Sequence, residues 1–384
     1  MSLFVSRRSA VEPFHAMDVL AEANRLKAMG APVISMAVGQ PSDPAPQAVR
    51  QAAMDHLKTG AIGYTDALGR ADLRAAISAH YRDHYGLDVP VSRIAVTTGS
   101  SAGFNLAFLA LFDTGDRVAL TRPGYPAYRN ILRALGVEPV ELPLDGAGWL
   151  TAAQVEAAHR QKPLKGLLYA SPANPTGAVT PADEQERLVR FCVEAGISLI
   201  SDEIYHRLSY GAPDVSALRF SNDVTVINSF SKYYCMTGWR IGWMVLPETA
   251  MRAVERIGQS LYISAPELSQ VAAVQAFAAS AELDRIKARY AENRALLLGR
   301  LPKAGLPVAA PMDGAFYAYC DVSLHTNDSM DFARRMLAEA HVAATPGLDF
   351  DPVDGPRMMR FSYAGSVAEI AWAMDRIDGW LQHR

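Results

Sequence analysis

The chain has 384 residues, half of them hydrophobic, with 37 Lys+Arg against 40 Asp+Glu and a formal net charge of -3. That is enough apolar material for a soluble protein with a large core and two domains, and it offers neither a basic stripe for nucleic acid nor a polybasic segment for a membrane, so small molecules are the expected partners. The three cysteines, Cys192, Cys235 and Cys320, are too scattered for a disulfide framework or a zinc cage, which points to a reducing, cytoplasmic setting.

Residues 1–45 read as an N-terminal arm that completes part of a smaller domain. Ser6-Arg7-Arg8 suggests a twin-arginine export signal, but Glu12, Asp18, Glu22, Arg25 and Lys27 stand where its apolar core would be required. The arm carries a helix over 14–28, a strand over 32–36 and the loop Val38-Gly39-Gln40-Pro41. Helix-period stretches follow at 47–58 and 70–85. Strand-like runs at 94–98, 118–121, 139–142, 166–170, 197–201, 225–229 and 241–246 then alternate with helices at 101–112, 125–135, 151–160 and 182–195. Such alternation predicts the α/β class, with a large domain over 46–285 built on a mostly parallel seven-stranded sheet. The apolar stretch 102–112 falls short of the roughly 20 residues that a membrane span needs. A long helix over 282–301 leads into a smaller α+β domain over 286–384, with strands at 315–320 and 358–362 and helices at 329–340 and 367–382. No repeat or low-complexity tract interrupts the pattern.

The chain is organised around Ser229-Phe230-Ser231-Lys232 and Thr237-Gly238-Trp239-Arg240. Lys232 lies just past the carboxyl end of a strand, the edge where open α/β sheets bind ligands. Burial there lowers a lysine's pKa and leaves an amine able to attack a carbonyl. Arg240 opens the next strand; if that strand returns beside the first, its guanidinium lands near the amine and suits a phosphate. A lysine and a phosphate-binding arginine, framed by Ser229 and Ser231, are the chemistry of pyridoxal phosphate held as a Schiff base. Thr98-Gly99-Ser100-Ser101 forms a strand-to-helix turn, where the free N–H groups of Ser100 and Ser101 can hold a dianion. Tyr125, after the next strand, can cover a planar ring, or simply be a core aromatic. Asn174 sits in Ser171-Pro172-Ala173-Asn174-Pro175-Thr176-Gly177, where turn chemistry explains it equally well. Asp202 can pair with a pyridine nitrogen and Tyr205 can donate to a ring oxygen, although Asp202 also reads as a helix N-cap. All these turns are expected at one edge of one sheet.

Three motifs in this order and spacing, 171–177, Ser-Asp-Glu-Ile-Tyr at 201–205 and Ser-Phe-Ser-Lys with Thr-Gly-Trp-Arg-Ile-Gly at 229–242, resemble the class I and II aminotransferases of the fold-type-I pyridoxal phosphate enzymes. The resemblance covers nearly the whole chain. It implies that Lys232 is the Schiff-base lysine and proton carrier, that Asp202 pairs with the pyridine nitrogen, and that Asn174 and Tyr205 hold the ring hydroxyl. It also implies that Tyr125 stacks on the ring and that Ser100, Ser101, Ser229, Ser231 and Arg240 hold the phosphate. Tyr64 would reach the phosphate of a neighbouring subunit, making a homodimer with shared sites, and Arg360 would clamp the substrate α-carboxylate beside the backbone of Gly39. Amino acids and 2-keto acids would be the substrates, in a ping-pong reaction of amino acid metabolism. Aspartate-preferring members often carry a lysine where this chain has Ser101, and Ala173 replaces the usual asparagine before Asn174. The Ala173 replacement carries little weight; with Phe14 and Tyr64, the absent lysine tilts the donor toward apolar or aromatic side chains.

Rival readings share these residues. A carbon-sulfur β-lyase uses the same scaffold and cofactor. Residues 99–103 also match GxSxG, so a serine hydrolase would need Ser101, Asp202 and either His325 or His341, though no HGGG-type loop is present. A regulator that binds the cofactor without catalysis is disfavoured because no DNA-binding segment is expected before residue 14. His80 and His84 read as a solvated helix face rather than a metal site, and Cys235 as packing.

Overall fold

The computed structural model describes residues 4–383 apart from 145, 147 and 212. Its strands are β1 (Ile34–Ser35), β2 (Ile94–Thr97), β3 (Arg117–Arg122), β4 (Glu138–Pro143), β5 (Gly166–Ala170), β6 (Ser198–Asp202), β7 (Thr225–Ser229), β8 (Gly242–Val245), β9 (Tyr317–Asp321), β10 (Val342–Ala343), β11 (Thr345–Pro346) and β12 (Met358–Ser362). β2 to β8 form one seven-stranded sheet in the order β2-β8-β7-β6-β5-β3-β4. β3 to β7 pair in parallel, whereas β8 is antiparallel to both β7 and β2. β8 is therefore the reversed strand, and its amino-terminal end meets the carboxyl ends of the others at one edge. That single reversal is what brings Arg240 to the Lys232 side.

Successive side chains on a strand point to opposite faces, so a strand covered on both sides must be apolar at consecutive positions. Val226, Leu199 and Leu167 enter one core, while their neighbours Ile227, Ile200 and Leu168 enter another. The second core is closed by α4 (Gly99–Leu111), α5 (Pro126–Leu135) and α8 (Glu248–Tyr262) through Phe104, Phe108, Leu132 and Val254. α5 starts where Pro126 fixes the first helical turn and stops at Gly136, which takes the left-handed conformation after the last turn.

A three-stranded antiparallel sheet of order β11-β12-β9 and the parallel pair β1-β10 complete the chain. Pairing of Ile34 with Val342 ties the N-terminal segment, including α1 (His15–Ala28), to the C-terminal part. The long helix Ser280–Arg300 runs straight across the boundary expected at 285/286. Among the described residues, no helix is long and apolar enough to cross a membrane.

Some local expectations change. The strand over 32–36 shrinks to β1, and β10 and β11 were not foreseen, because two-residue strands leave no periodic trace. The helix over 70–85 is an α-helix only to His80, then a π turn at Tyr81–Tyr85. The solvated face assigned to His80 is a correction: His80 is 8% exposed, stacks on Phe277 and His84, and burial pushes its imidazole down to about 3. Tyr81 and Trp243 pack around it, so an apolar core claims it. No group of three or more metal-ligating side chains occurs among the described residues.

Candidate active site

Ser100 and Ser101 occupy the first turn of α4, whose N-cap residue Thr98 makes no side-chain capping bond, so the opening N–H groups lack a side-chain acceptor. Gly99 has φ +72°, a left-handed conformation that favours glycine, and its Cα passes so near Arg240 that a Cβ there would lie 2.7 Å from Nη2 and push the guanidinium aside. Arg240 itself is held at φ 50°, uncommon for a residue with a side chain. Its Nη1 donates to Thr237 O at 2.9 Å. The helix start and the guanidinium thus form a cradle of N–H donors.

Lys232 follows β7. Its Nζ donates to Gly39 O at 2.7 Å and lies 5.6 Å from the centre of the Tyr205 ring. Burial, with Arg360 and Arg240 nearby, pushes the amine down to about 8, against the pull of Asp202. Gly39 is confined as tightly as Gly99: a Cβ would fall 2.1 Å from the Tyr317 hydroxyl oxygen.

Asp202 ends β6 and is 2% exposed. Its carboxylate accepts a hydrogen bond from the Tyr128 hydroxyl and another from Ile204 N at 3.0 Å. Burial nevertheless pushes it up to about 6, and a cation in the cavity would draw it back down. Tyr205 shares a 2.6 Å hydrogen bond with Tyr317.

Arg360 comes from β12, 4% exposed and sandwiched between the rings of Tyr317 (4.4 Å) and Phe350 (4.7 Å). Nη1 donates to Asn174 Oδ1 at 2.9 Å, and Nη2 to Ala37 O at 2.6 Å and Thr345 Oγ1 at 3.2 Å. Its Nε is buried without a partner.

These groups surround one cavity of about 250 Å³. All the candidate residues line it except Ser229 and Tyr64. Ser229 lies behind the wall, where its hydroxyl donates to Ser231 Oγ at 2.9 Å and accepts from Ser231 N at 3.0 Å. Tyr64 is 79% exposed, away from the cavity of its own chain. His325 and His341 also lie off this wall, so no serine-hydrolase triad assembles on Ser101.

Among the cavity residues that escaped sequence reasoning are Tyr128, Tyr317, Asp349 and Phe350. Tyr128 had a signal, one turn beyond Tyr125 at the start of α5. The others come from the C-terminal part, where nothing in their spacing relates them to the sheet edge.

The family model for aminotransferase class I and II matches residues 31–377. A valine--pyruvate aminotransferase of Mycobacterium tuberculosis is 47% identical over 382 residues, covering 98% of each chain. A (5-formylfuran-3-yl)methyl phosphate transaminase of Methanocaldococcus jannaschii is 35% identical, over 96% of this chain and 97% of its own. A crystal structure of an aminotransferase from Mycobacterium tuberculosis superposes with a TM-score of 0.96 at 46% identity over the whole of both chains. The chain belongs to the class I and II aminotransferases. It is an enzyme, a transaminase, and the relatives named here are transaminases rather than lyases.

Proposed function

We propose that this site binds pyridoxal phosphate and uses it to move an amino group from an amino acid with an apolar side chain to a 2-keto acid. The observation that carries this reading is the meeting, in one cavity, of an anion cradle, an amine of lowered pKa, a buried carboxylate and a partly unpartnered arginine. The residues fit the cofactor. Ser100, Ser101, Ser231 and Arg240 would hold its phosphate, with Ser229 fixing the Ser231 hydroxyl. Tyr125 would cover the ring, Asp202 would hold the proton on the ring nitrogen, and Asn174 and Tyr205 would hold the ring hydroxyl. When bound, the cofactor supplies an aldehyde that condenses with amines and a ring that stores the electrons released when a Cα–H bond breaks.

The protein's own part follows from its geometry. Arg360, prealigned by Asn174, Ala37 and the two flanking rings, takes the α-carboxylate. Lys232, depressed from 10.5 to about 8, has roughly a tenth of its amine unprotonated at pH 7 and half at pH 8, so its Nζ can accept the proton from substrate Cα and later return it. Asp202 is a fixed buried charge that would keep the ring nitrogen protonated and so able to draw in electrons, an electrostatic contribution arranged in advance of the reaction. The keto acid leaves before the second substrate enters, so the kinetics are ping-pong.

Phe14, Met17, Val38 and Phe350 on the cavity wall support an apolar donor side chain, as does the naming of the mycobacterial relative as a valine--pyruvate aminotransferase. We read the assembly as a homodimer: the exposure of Tyr64, next to exposed Ile62, supports its reaching a second copy. A cytoplasmic setting and a division into large (46–285) and small domains remain part of the same proposal.

Absorption spectroscopy tests it. With pyridoxal phosphate, the protein should turn yellow, lose that colour on adding leucine or valine without an acceptor, and regain it with pyruvate. Release of pyruvate from a cysteine-type substrate with the colour retained would favour the lyase; no yellow species would sink the reading.

A further inference from the structure

α1 begins without a local cap. Its N-cap residue is Phe14, which cannot accept a hydrogen bond through its side chain. The acceptor comes from the far end of the chain instead. Asp349 Oδ1 accepts from His15 N at 2.8 Å and Oδ2 from Ala16 N at 2.7 Å, so one carboxylate takes the first two N–H groups of the helix. Asp349 is 2% exposed; burial pushes its pKa up, opposed by the hydrogen bonds from Ala16 N and His15 N and by the nearby His15 and Arg360, which favour the charged form.

The same short segment is tied in two further directions. Its backbone is held by the large sheet's helices and loops, since Arg129 Nη2 donates to Asp349 O at 2.6 Å and Gly124 N donates to Phe350 O at 3.0 Å. The Phe350 ring lies under the Arg360 guanidinium. Asp349 therefore fixes the start of α1 relative to the arginine proposed to hold the α-carboxylate. Three residues at that start face the cavity: Phe14, Ala16 and Met17, with the Phe14 ring 6.0 Å from that of Tyr125.

Charge adds a second effect. Among this chain's described residues the cations on the cavity wall are Lys232, Arg240 and Arg360; all have roles in the proposed function, so this chain itself leaves none to receive a carboxylate on the substrate side chain. Asp349, on the same wall as Phe14 and Met17, is an acid where such a side chain would have to sit.

Resting on the aminotransferase reading above, we propose that Asp349 determines side-chain specificity: it clasps the start of α1 into a fixed apolar wall, and its own charge excludes amino acids with acidic side chains. Selectivity of this kind comes as much from repelling the wrong substrate as from fitting the right one.

The holoenzyme and its Asp349→Asn and Asp349→Ala variants separate the two effects. The readouts are kcat and KM for leucine and for aspartate with pyruvate, the cofactor absorption spectrum, and amide hydrogen exchange over residues 14–20. Both variants should keep the spectrum. Asp349→Ala should exchange faster at the start of α1 and raise the leucine KM with kcat little changed, whereas Asp349→Asn, which keeps an acceptor oxygen, should recover part of that KM. In both, the preference for leucine over aspartate should fall about tenfold as the repelling charge goes. An unchanged preference in both variants, or unchanged exchange in Asp349→Ala, would overturn the proposal, as would an equal loss for both substrates. If the wild-type protein fails to transaminate any amino acid, the function reading falls instead, and hydrogen exchange still reports on the clasp.

Discussion

The two sides of the cavity are built differently. On one side, Ser100, Tyr125, Asn174 and Lys232 each follow a strand of a single buried sheet, Asp202 ends one, and Arg240 precedes the reversed strand. On the other, Arg360, Tyr317, Asp349 and Phe350 come from small C-terminal elements, and Phe14 from the N-terminal segment. The first side is a rigid platform suited to chemistry, which demands fixed distances. The second meets the substrate through a junction of separate pieces, held by a few hydrogen bonds and two rings around a guanidinium. Chemistry should therefore be lost by changes on the sheet side, and recognition by changes on the other.

The largest effect should come from Lys232. Lys232→Ala removes the amine that accepts the α-proton, and turnover should fall by about 10³-fold or more, while Arg360 still binds amino acids, as seen by their protection of the protein against thermal unfolding. Asp202→Asn comes next, with a loss of roughly 10²- to 10³-fold in kcat as a preorganised charge disappears. Its stability should move the other way in the cofactor-free protein. Burial raises the Asp202 pKa to about 6 from 3.8, so the folded state loses stability as pH rises through that interval. The asparagine variant escapes that loss, and its melting temperature at pH 7 should equal or exceed that of the wild type. A clear drop in melting temperature would mean that Asp202 serves the fold rather than the reaction.

Arg360→Lys probes the other side. Lysine keeps the charge but loses the planar fork and the stack between Tyr317 and Phe350, so KM should rise roughly thirtyfold, the equivalent of about 2 kcal/mol, for every amino acid tried. The cofactor spectrum should not move. A fall in kcat at unchanged KM would erase the proposed division between the two sides.

The same division explains what could be read in advance. The seven strands, the helices between them and the residues at the strand ends were legible because a buried parallel sheet writes consecutive apolar runs, each closed by a turn. The pairing of Arg240 with that edge depended only on β8 returning beside β7, as it does. Arg360 was found through the family resemblance alone. Its cage was not found, since Tyr317 lies 43 residues upstream on β9 and meets it only because β9 and β12 pair antiparallel, with Arg360 opposite Tyr319. Asp349 offered even less: an acidic residue after a proline and a glycine reads as a turn, and its partners are 334 and 333 residues away. His80 misled because helical spacing reports a face but not what covers it, and here the cover is Phe277 and Trp243.

Tyr128 gives the finest test, because it belongs to the sheet side and acts on the chemistry through its hydrogen bond to Asp202. Its hydroxyl donates to Asp202 and favours the ionised carboxylate, opposing the upward push of burial. Tyr128→Phe deletes that donor and leaves Ile204 N as the remaining hydrogen-bond partner. The Asp202 pKa should therefore rise relative to the wild type, both in the empty cavity, where it starts at about 6, and in the holoenzyme, where the ring nitrogen draws it lower, so the acid limb of the pH–kcat profile should shift to higher pH. At pH 8, above the shifted limb, kcat should fall only about fivefold, the equivalent of ~1 kcal/mol for one hydrogen bond. At pH 6 the same variant should fall further behind the wild type, because a larger share of its Asp202 is protonated there. KM for leucine should hold steady at both pH values, since α1, Asp349 and Arg360 are untouched. A profile that drops by the same factor at every pH would place Tyr128 among the packing residues of α5, and Asp202 would then owe its ionised state to the bound ring nitrogen alone.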